Sequence, residues 1–206
     1  MNHETLQSVS RVEESGACDI RTRTDDLHQT VEQCLAGDQF AMIDLVERFQ
    51  ASVFAYCYRM LGHRQDAEDA TQETFIRVLR SLARWDHHRD FRPWLMTIAA
   101  NRCRTMLSAR KRRPVVCEIE QNLCEDDSGD WCEAKQLDEE IQMGLSRISP
   151  EHREAFVMFH DHNLSYQQIA DILGCPLGTC KTWIYRARRQ LATWLQNRQV
   201  LTGRHL

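Results

Sequence analysis

The cations and hydrogen-bonding side chains of residues 161–190, DHNLSYQQIADILGCPLGTCKTWIYRARRQ, define the chemistry available to this chain. Lys181, Arg186, Arg188 and Arg189 can neutralise phosphate, and Thr182 and Tyr185 lie among them. Ammonium and guanidinium groups position a protein on nucleic acid, and the same groups read base edges when they reach into a groove. Five cations and no acids occur from Pro176 to Arg198. This is binding chemistry. The chain has no HExxH, nucleophile elbow or glycine-rich phosphate loop, the arrangements that support hydrolysis or phosphoryl transfer.

Such side chains need a rigid support, and the local sequence predicts a helix-turn-helix. Ser165 is a suitable N-cap, and Gln168 completes a capping-box pattern. Ile169, Ala170, Ile172 and Leu173 supply the packed face of a bracing helix. Gly174 permits a left-handed turn, and Pro176 suits the start of the next helix. Leu177, Ile184, Ala187 and Leu191 form the inner stripe of that helix, with Cys180 also inward as a small apolar residue. Lys181, Thr182, Tyr185, Arg186 and Arg189 fall on its outer side. A basic amphipathic helix by itself is often only a solvated face. Cap, turn glycine, inner stripe and acid-free outer face together predict a helix laid in the major groove.

The formal net charge of −4 opposes that reading only as a total. Residues 77–113 hold eleven Arg or Lys against two acids, Asp86 and Asp90. Residues 114–140 hold ten acids against one Lys. Local potential follows such blocks rather than the sum.

Upstream, the periodicity is helical throughout. Residues 1–27 are polar and predict a disordered extension. Phe40, Ile43, Leu45, Val46, Phe49, Val53, Phe54 and Cys57 recur at three- and four-residue steps. Gly62-His63 interrupts that run. A second helix follows, with Ala67, Ala70, Phe75, Val78 and Leu79 inward and Asp66, Glu68 and Asp69 in its first turn, where they complement the helix dipole. A loop, RWDHHRDF, precedes a third helix opened by Pro93, carrying Trp94, Leu95, Ile98, Ala99 and Met106 and stopped at Pro114. Residues 114–134 read as a flexible acidic linker. Helix resumes near Ala134, ends at Ser149-Pro150, and restarts over 151–160. The expected fold is all-α: two small helical domains, 28–113 and 135–198, joined by the linker and followed by a tail over 199–206.

No run is apolar enough to span a bilayer, and the first residues lack the apolar core of a signal peptide, so a cytoplasmic location without membrane insertion is expected. The nine cysteines are then expected as reduced thiols. Cys57 and Cys103 fall among core positions. Cys117, Cys124 and Cys132 stand in the acidic stretch at a spacing that fits no compact zinc finger. They are either inert or part of a redox or metal control.

Three segments in fixed order resemble a known family: DAEDATQETFIRVLRSL (66–82), FRPWLMTIAANRCRTMLSARKRR (91–113) and SYQQIADILGCPLGTCKTWIYRARRQL (165–191). The chain resembles bacterial sigma factors of the extracytoplasmic-function group of the sigma-70 family, from about Asp38 to Leu195. The resemblance implies a sigma-two and a sigma-four domain, no catalysis, no cofactor and no metal. Its partners would be core RNA polymerase, through the β′ clamp helices and the β flap, promoter DNA and an anti-sigma factor.

By that resemblance Asp69, Gln72 and Glu73, with Phe75 nearby, meet the polymerase clamp. Trp85, His88 and Phe91 form a platform or pocket for melted minus-ten bases. Asn101 contacts an extruded base, and Arg104, Arg110, Lys111, Arg112 and Arg113 hold phosphates. Arg153, Lys181, Thr182, Tyr185, Arg186 and Arg189 address the minus-thirty-five element. Cys180 replaces a usual aliphatic residue and is expected to be neutral, while Trp183 and Trp194 depart from the pattern. The acidic linker threads toward the polymerase active-site channel or serves as a solvated tether. The implied function is promoter-specific initiation under an envelope, metal or other stress. A stand-alone helix-turn-helix regulator is the alternative, but it leaves the first two segments unexplained. A metal hydrolase built from His and Cys lacks any of the usual motifs.

Overall fold

The computed structural model describes residues 26–112 and 129–198, with side chains described from 136 onward in the second stretch. Among the described residues every regular element is helical: α1 (26–35), α2 (Gln39–Leu61), α3 (Arg64–Ser81), a 3-10 turn (Leu82–Arg84), α4 (Phe91–Arg112), α5 (Gly129–Ser146), α6 (Pro150–His160), α7 (Tyr166–Leu173) and α8 (Leu177–Asn197).

Local signals start and stop these helices. The Asp38 carboxylate accepts from the Phe40 and Ala41 amides and caps α2. Gly62 ends α2 at a φ of 76°, in the left-handed region, which a residue with a Cβ enters at a cost. The apolar stripe of α2 then packs on Ala67, Ala70, Phe75 and Val78 of α3 and on Leu95, Met96 and Ala99 of α4. In the second bundle α8 is the central element, packed on α5, α6 and α7. A Cβ at Gly144 would lie 2.6 Å from Leu191 and 2.7 Å from Trp194, so the close approach of α5 to α8 at this point depends on glycine.

Several boundaries differ from the sequence expectation. Helix α4 begins at Phe91, two residues before Pro93. Proline is tolerated in a first turn whose N–H groups lack helical partners. Helix α5 begins at Gly129, inside the stretch read as linker, and ends at Ser146. Pro176 caps α8 rather than lying within it. Leu177 is 38% exposed, at the helix end rather than in the inner stripe.

The two bundles touch directly. Helix α2 contacts α5 and α6, α4 contacts α7, and their buried side chains form one continuous core. Polar groups line this junction. Tyr56 donates to Glu154 at 3.0 Å, and Ser52 pairs with Nδ1 of His162 at 3.1 Å. The Gln142 amide donates to the Tyr58 carbonyl at 3.1 Å, and Arg59 pairs with Asp138 and Asp161.

Candidate nucleic-acid and polymerase interface

The helix-turn-helix forms as its residues dictate. The Ser165 hydroxyl accepts from the Gln168 amide at 3.2 Å, and the Gln168 side chain accepts from the Ser165 amide at 2.9 Å. Gly174 turns the chain at a φ of 63°. Ile184, Ala187, Leu191 and Cys180 face inward and are buried. Lys181, Thr182, Tyr185, Arg186, Arg188 and Arg189 are all exposed. Thr182 spends its hydroxyl proton on the Gly178 carbonyl at 2.8 Å, leaving its oxygen free to accept. Lys181 stands 5.7 Å from the Tyr166 ring centroid, which orients the ammonium.

Beside this face a groove of about 790 Å³ runs between α5 and α8, with Arg147 on its far wall. Arg147 lies over the Trp194 ring at 4.3 Å. Arg147 is not among the residues that the sequence singles out, and Trp194 is one that departs from the family pattern. The sequence signal was a lone cation at the end of α5, too weak to single out without the tertiary fold. Trp194 is a stacking support for that cation. Trp183 is half-buried instead, near His152, whose imidazole burial and then Arg186 push below its ordinary value.

The arginine expected from the preceding helix does not join this face. Arg153 is 8% exposed, its Nε has no partner among the described residues, and burial lowers its pKa. It lies beneath the junction of the bundles, because α6 is the helix that packs on α2.

In the first bundle, Asp69 and Gln72 are exposed and Glu73 is half-exposed, held by Arg77 at 2.8 Å. Phe75 is 6% exposed and belongs to the core, so it cannot form part of an open contact surface. The exposed apolar residue of this face is Ile76, at 44%. It follows Gln72 by four residues and therefore shares its side of the helix. That spacing was visible in the sequence.

The loop after the 3-10 turn also redistributes its residues. Trp85 and Phe91 are each 3% exposed and meet edge to face at 5.2 Å, so neither offers an open stacking platform. They instead anchor a loop whose His87, His88 and Arg89 are exposed. Asp86 tightens the loop by accepting from the His88 amide at 3.0 Å. A cavity of about 730 Å³ opens here, and Trp85, His88 and Phe91 all line it, together with Arg89, Asp90 and, from the second bundle, Gln168. Gln168 closes one side by donating to Asp90 at 3.1 Å.

On α4, Asn101 is exposed and its oxygen accepts from Arg104 at 2.8 Å. Arg104 also grips both oxygens of Glu154 and reaches the Ile172 carbonyl. Burial, and then the Glu154 carboxylate, hold the Tyr56 phenol protonated well above its ordinary range, so it donates to the same carboxylate. Arg110 donates to the Leu61 carbonyl at 2.9 Å and pairs with Asp66. It is a brace between the end of α2 and the start of α3, not a free phosphate ligand. Lys111 and Arg112 are exposed. Arg113, Cys117 and Cys124 lie outside the described residues, as does the side chain of Cys132. No group of three or more His, Cys, Asp or Glu residues that could hold a metal ion occurs among the described residues.

Arg153 is therefore enclosed beneath the junction, while Arg104 is paired with Glu154 yet keeps 38% of its side chain exposed.

Two family models match in the order of the two bundles: Sigma-70 region 2 over residues 45–113, and Sigma-70, region 4 over residues 138–191. The chain is 30% identical over 184 residues to the ECF RNA polymerase sigma factor SigW of Bacillus subtilis, a match covering 83% of this chain and 97% of that one. It is 32% identical over 200 residues to the ECF RNA polymerase sigma factor SigE of Mycolicibacterium smegmatis, covering 94% and 77%. Among solved structures, that of CnrH in complex with the cytosolic domain of CnrY aligns with a TM-score of 0.61 at 26% identity, covering 82% of this chain and 96% of that one.

Proposed function

This chain belongs to the sigma-70 family, in its extracytoplasmic-function group, and from that premise we propose how its surfaces divide the work of bringing core RNA polymerase to promoters. The observation that carries the proposal is the outer face of α8, where six exposed hydrogen-bonding or cationic side chains stand without an acid. Lys181, Thr182, Tyr185 and Arg186 read the minus-thirty-five element, while Arg188, Arg189 and Arg147 hold its phosphates. Asp69, Gln72, Glu73 and Ile76 meet the β′ clamp helices, and the second bundle docks on the β flap. In the first bundle His88 and Asn101 meet melted minus-ten bases, and Lys111, Arg112 and Arg113 follow the backbone.

The chain acts as a binding factor, without catalysis, metal or cofactor, in the cytoplasm where polymerase works. Units 28–113 and 135–198 act at different promoter elements and so have to move apart on the polymerase. An anti-sigma factor that holds the bundles together controls its release under an envelope, metal or other stress. Transcription in vitro with core polymerase on genomic DNA, followed by mapping of 5′ ends, tests the proposal. Starts clustered downstream of one shared two-part sequence are expected; starts unchanged by adding the chain would refute it.

A further inference from the structure

Helices α2 and α4 bring two thiols together beneath the junction of the bundles. The Cys103 Sγ donates to the Cys57 Sγ at 3.7 Å, and both residues are completely buried and reduced. Two inert core cysteines need only fill space. This pair also has a charged neighbour. The Nε of Arg102 is buried without a hydrogen-bond partner among the described residues. Arg102 as a whole is half-buried, and its unmet Nε donor favours an anion nearby. The Cys103 S–H pulls the Cys57 thiol below its ordinary value against the opposing effect of burial, and Arg102 adds to that pull. The same contact, with burial, pushes Cys103 up. In that contact Cys57 accepts and Cys103 donates, so the two sulfurs already face each other across the α2–α4 seam.

We propose that Cys57 and Cys103 are a redox-modifiable pair, which a small peroxide converts into an intramolecular disulfide joining α2 to α4. The Cys57 thiolate attacks a peroxide oxygen, giving a sulfenic acid and hydroxide. The Cys103 thiol then attacks the sulfenic sulfur, forming the S–S bond and displacing a second hydroxide; each of the two hydroxides takes up one thiol proton and leaves as water. For hydrogen peroxide the sum is two thiols and one peroxide to one disulfide and two waters. The two electrons lost by sulfur reduce the O–O bond.

A disulfide requires about 2.05 Å between the sulfurs, so the observed separation must close and the helices must adjust. Cys57 follows Tyr56, and Cys103 precedes Arg104. These neighbours are the two residues of the first bundle that bind Glu154. Oxidation therefore acts on the helix that carries Asn101 and Arg104, and it slows initiation. That consequence rests on the promoter-directing role proposed above; the disulfide itself does not.

The test uses the full chain, oxidised with hydrogen peroxide, freed of oxidant, alkylated under denaturing conditions and digested for mass spectrometry. A Cys57–Cys103 linked peptide, lost on treatment with dithiothreitol, is expected. In Cys103→Ser the reaction stops at a sulfenic acid on Cys57, trapped by dimedone. Full alkylation of both cysteines in the wild-type chain, under conditions that oxidise the more exposed Cys175, overturns the proposal. The oxidised chain mixed with core polymerase is expected to give several-fold fewer transcripts, restored by dithiothreitol. A linked chain that transcribes as well as the reduced one refutes the effect on initiation and leaves the family role intact.

Discussion

Arg104 on α4 holds both carboxylate oxygens of Glu154 on α6, at 3.1 and 3.2 Å from its Nε. The Glu154 side chain is 5% exposed and that of Arg104 is 38% exposed. A residue expected on minus-ten DNA is thus neutralised by the bundle expected on minus-thirty-five DNA. Removing one partner of a buried pair strands the other, at a cost of about 3–5 kcal/mol when both are fully buried. The exposure of Arg104 reduces this to roughly 1–2 kcal/mol, since water screens the stranded cation. Glu154→Gln should therefore loosen the junction. Small-angle scattering of the free variant is expected to show a larger radius of gyration than wild type. An unchanged profile would mean that the pair does not hold the bundles together.

The α3 surface separates contact from core. Asp69→Ala and Gln72→Ala should each weaken core polymerase binding by more than about 1 kcal/mol if they are central to that interface, with unchanged thermal unfolding. Phe75→Ala should do the reverse. It empties a core site and costs about 3–5 kcal/mol of stability. Melting curves and polymerase co-elution on each purified variant distinguish the two classes. Loss of polymerase binding by a fully stable Phe75→Ala chain would return Phe75 to the contact surface.

On α8, Arg186→Ala should cost about 1–3 kcal/mol at the promoter position it reads and relax base preference there. Arg188→Ala should weaken binding to all promoters alike and reduce the dependence on salt. Cys180→Val should leave promoter choice unchanged, because the side chain is wholly buried; the added methyl group should cost about 1–3 kcal/mol of stability. Selection of active promoters from a randomised minus-thirty-five library checks all three. A changed consensus for Cys180→Val would count against its inward role.

Acid should destabilise the junction through His162. Burial, and then the nearby Arg92 charge, depress its pKa to about 4. Its ring faces Tyr56 at 5.6 Å and pairs with Ser52. An unfolded histidine titrates near 6.5. Between these values the unfolded chain binds the extra proton, so stability falls as pH drops through that window, by up to about 1.4 kcal/mol per pH unit. Above pH 6.5 the site contributes no slope. Thermal melts at pH 7.5 and 5.0 should show a larger loss for wild type than for His162→Gln. Equal losses would show that His162 is not the responsible group.

Much of this was legible in the sequence because it was local. The capping box at Ser165, the turn at Gly174 and the inward Cys180 depend on neighbours a few residues away. What was missed depends on tertiary burial. Phe75 is expected near a contact surface from its motif position yet fills core space, whereas Trp85 and Phe91 line the expected loop pocket with nearly all of their surface buried. Arg153 is expected on DNA from the resemblance and Arg110 from its place in a cationic run, while the fold buries Arg153 beneath the junction and uses Arg110 to brace α2 against α3. Periodicity cannot separate an aromatic that stacks on a base from one that packs on a helix. Nor can it reveal that two bundles close on each other's cations.

DNA recognition is expected to belong to the complex with polymerase, not to the chain alone. Fluorescence anisotropy of a labelled promoter fragment, taken from a mapped start site, measures this directly with chain alone, core polymerase alone and both together. Sequence-specific binding only in the combined sample, reduced by Arg186→Ala, is the expected result. Tight, specific binding of the duplex by the isolated chain, unchanged by core polymerase, would contradict the account and favour a stand-alone helix-turn-helix regulator.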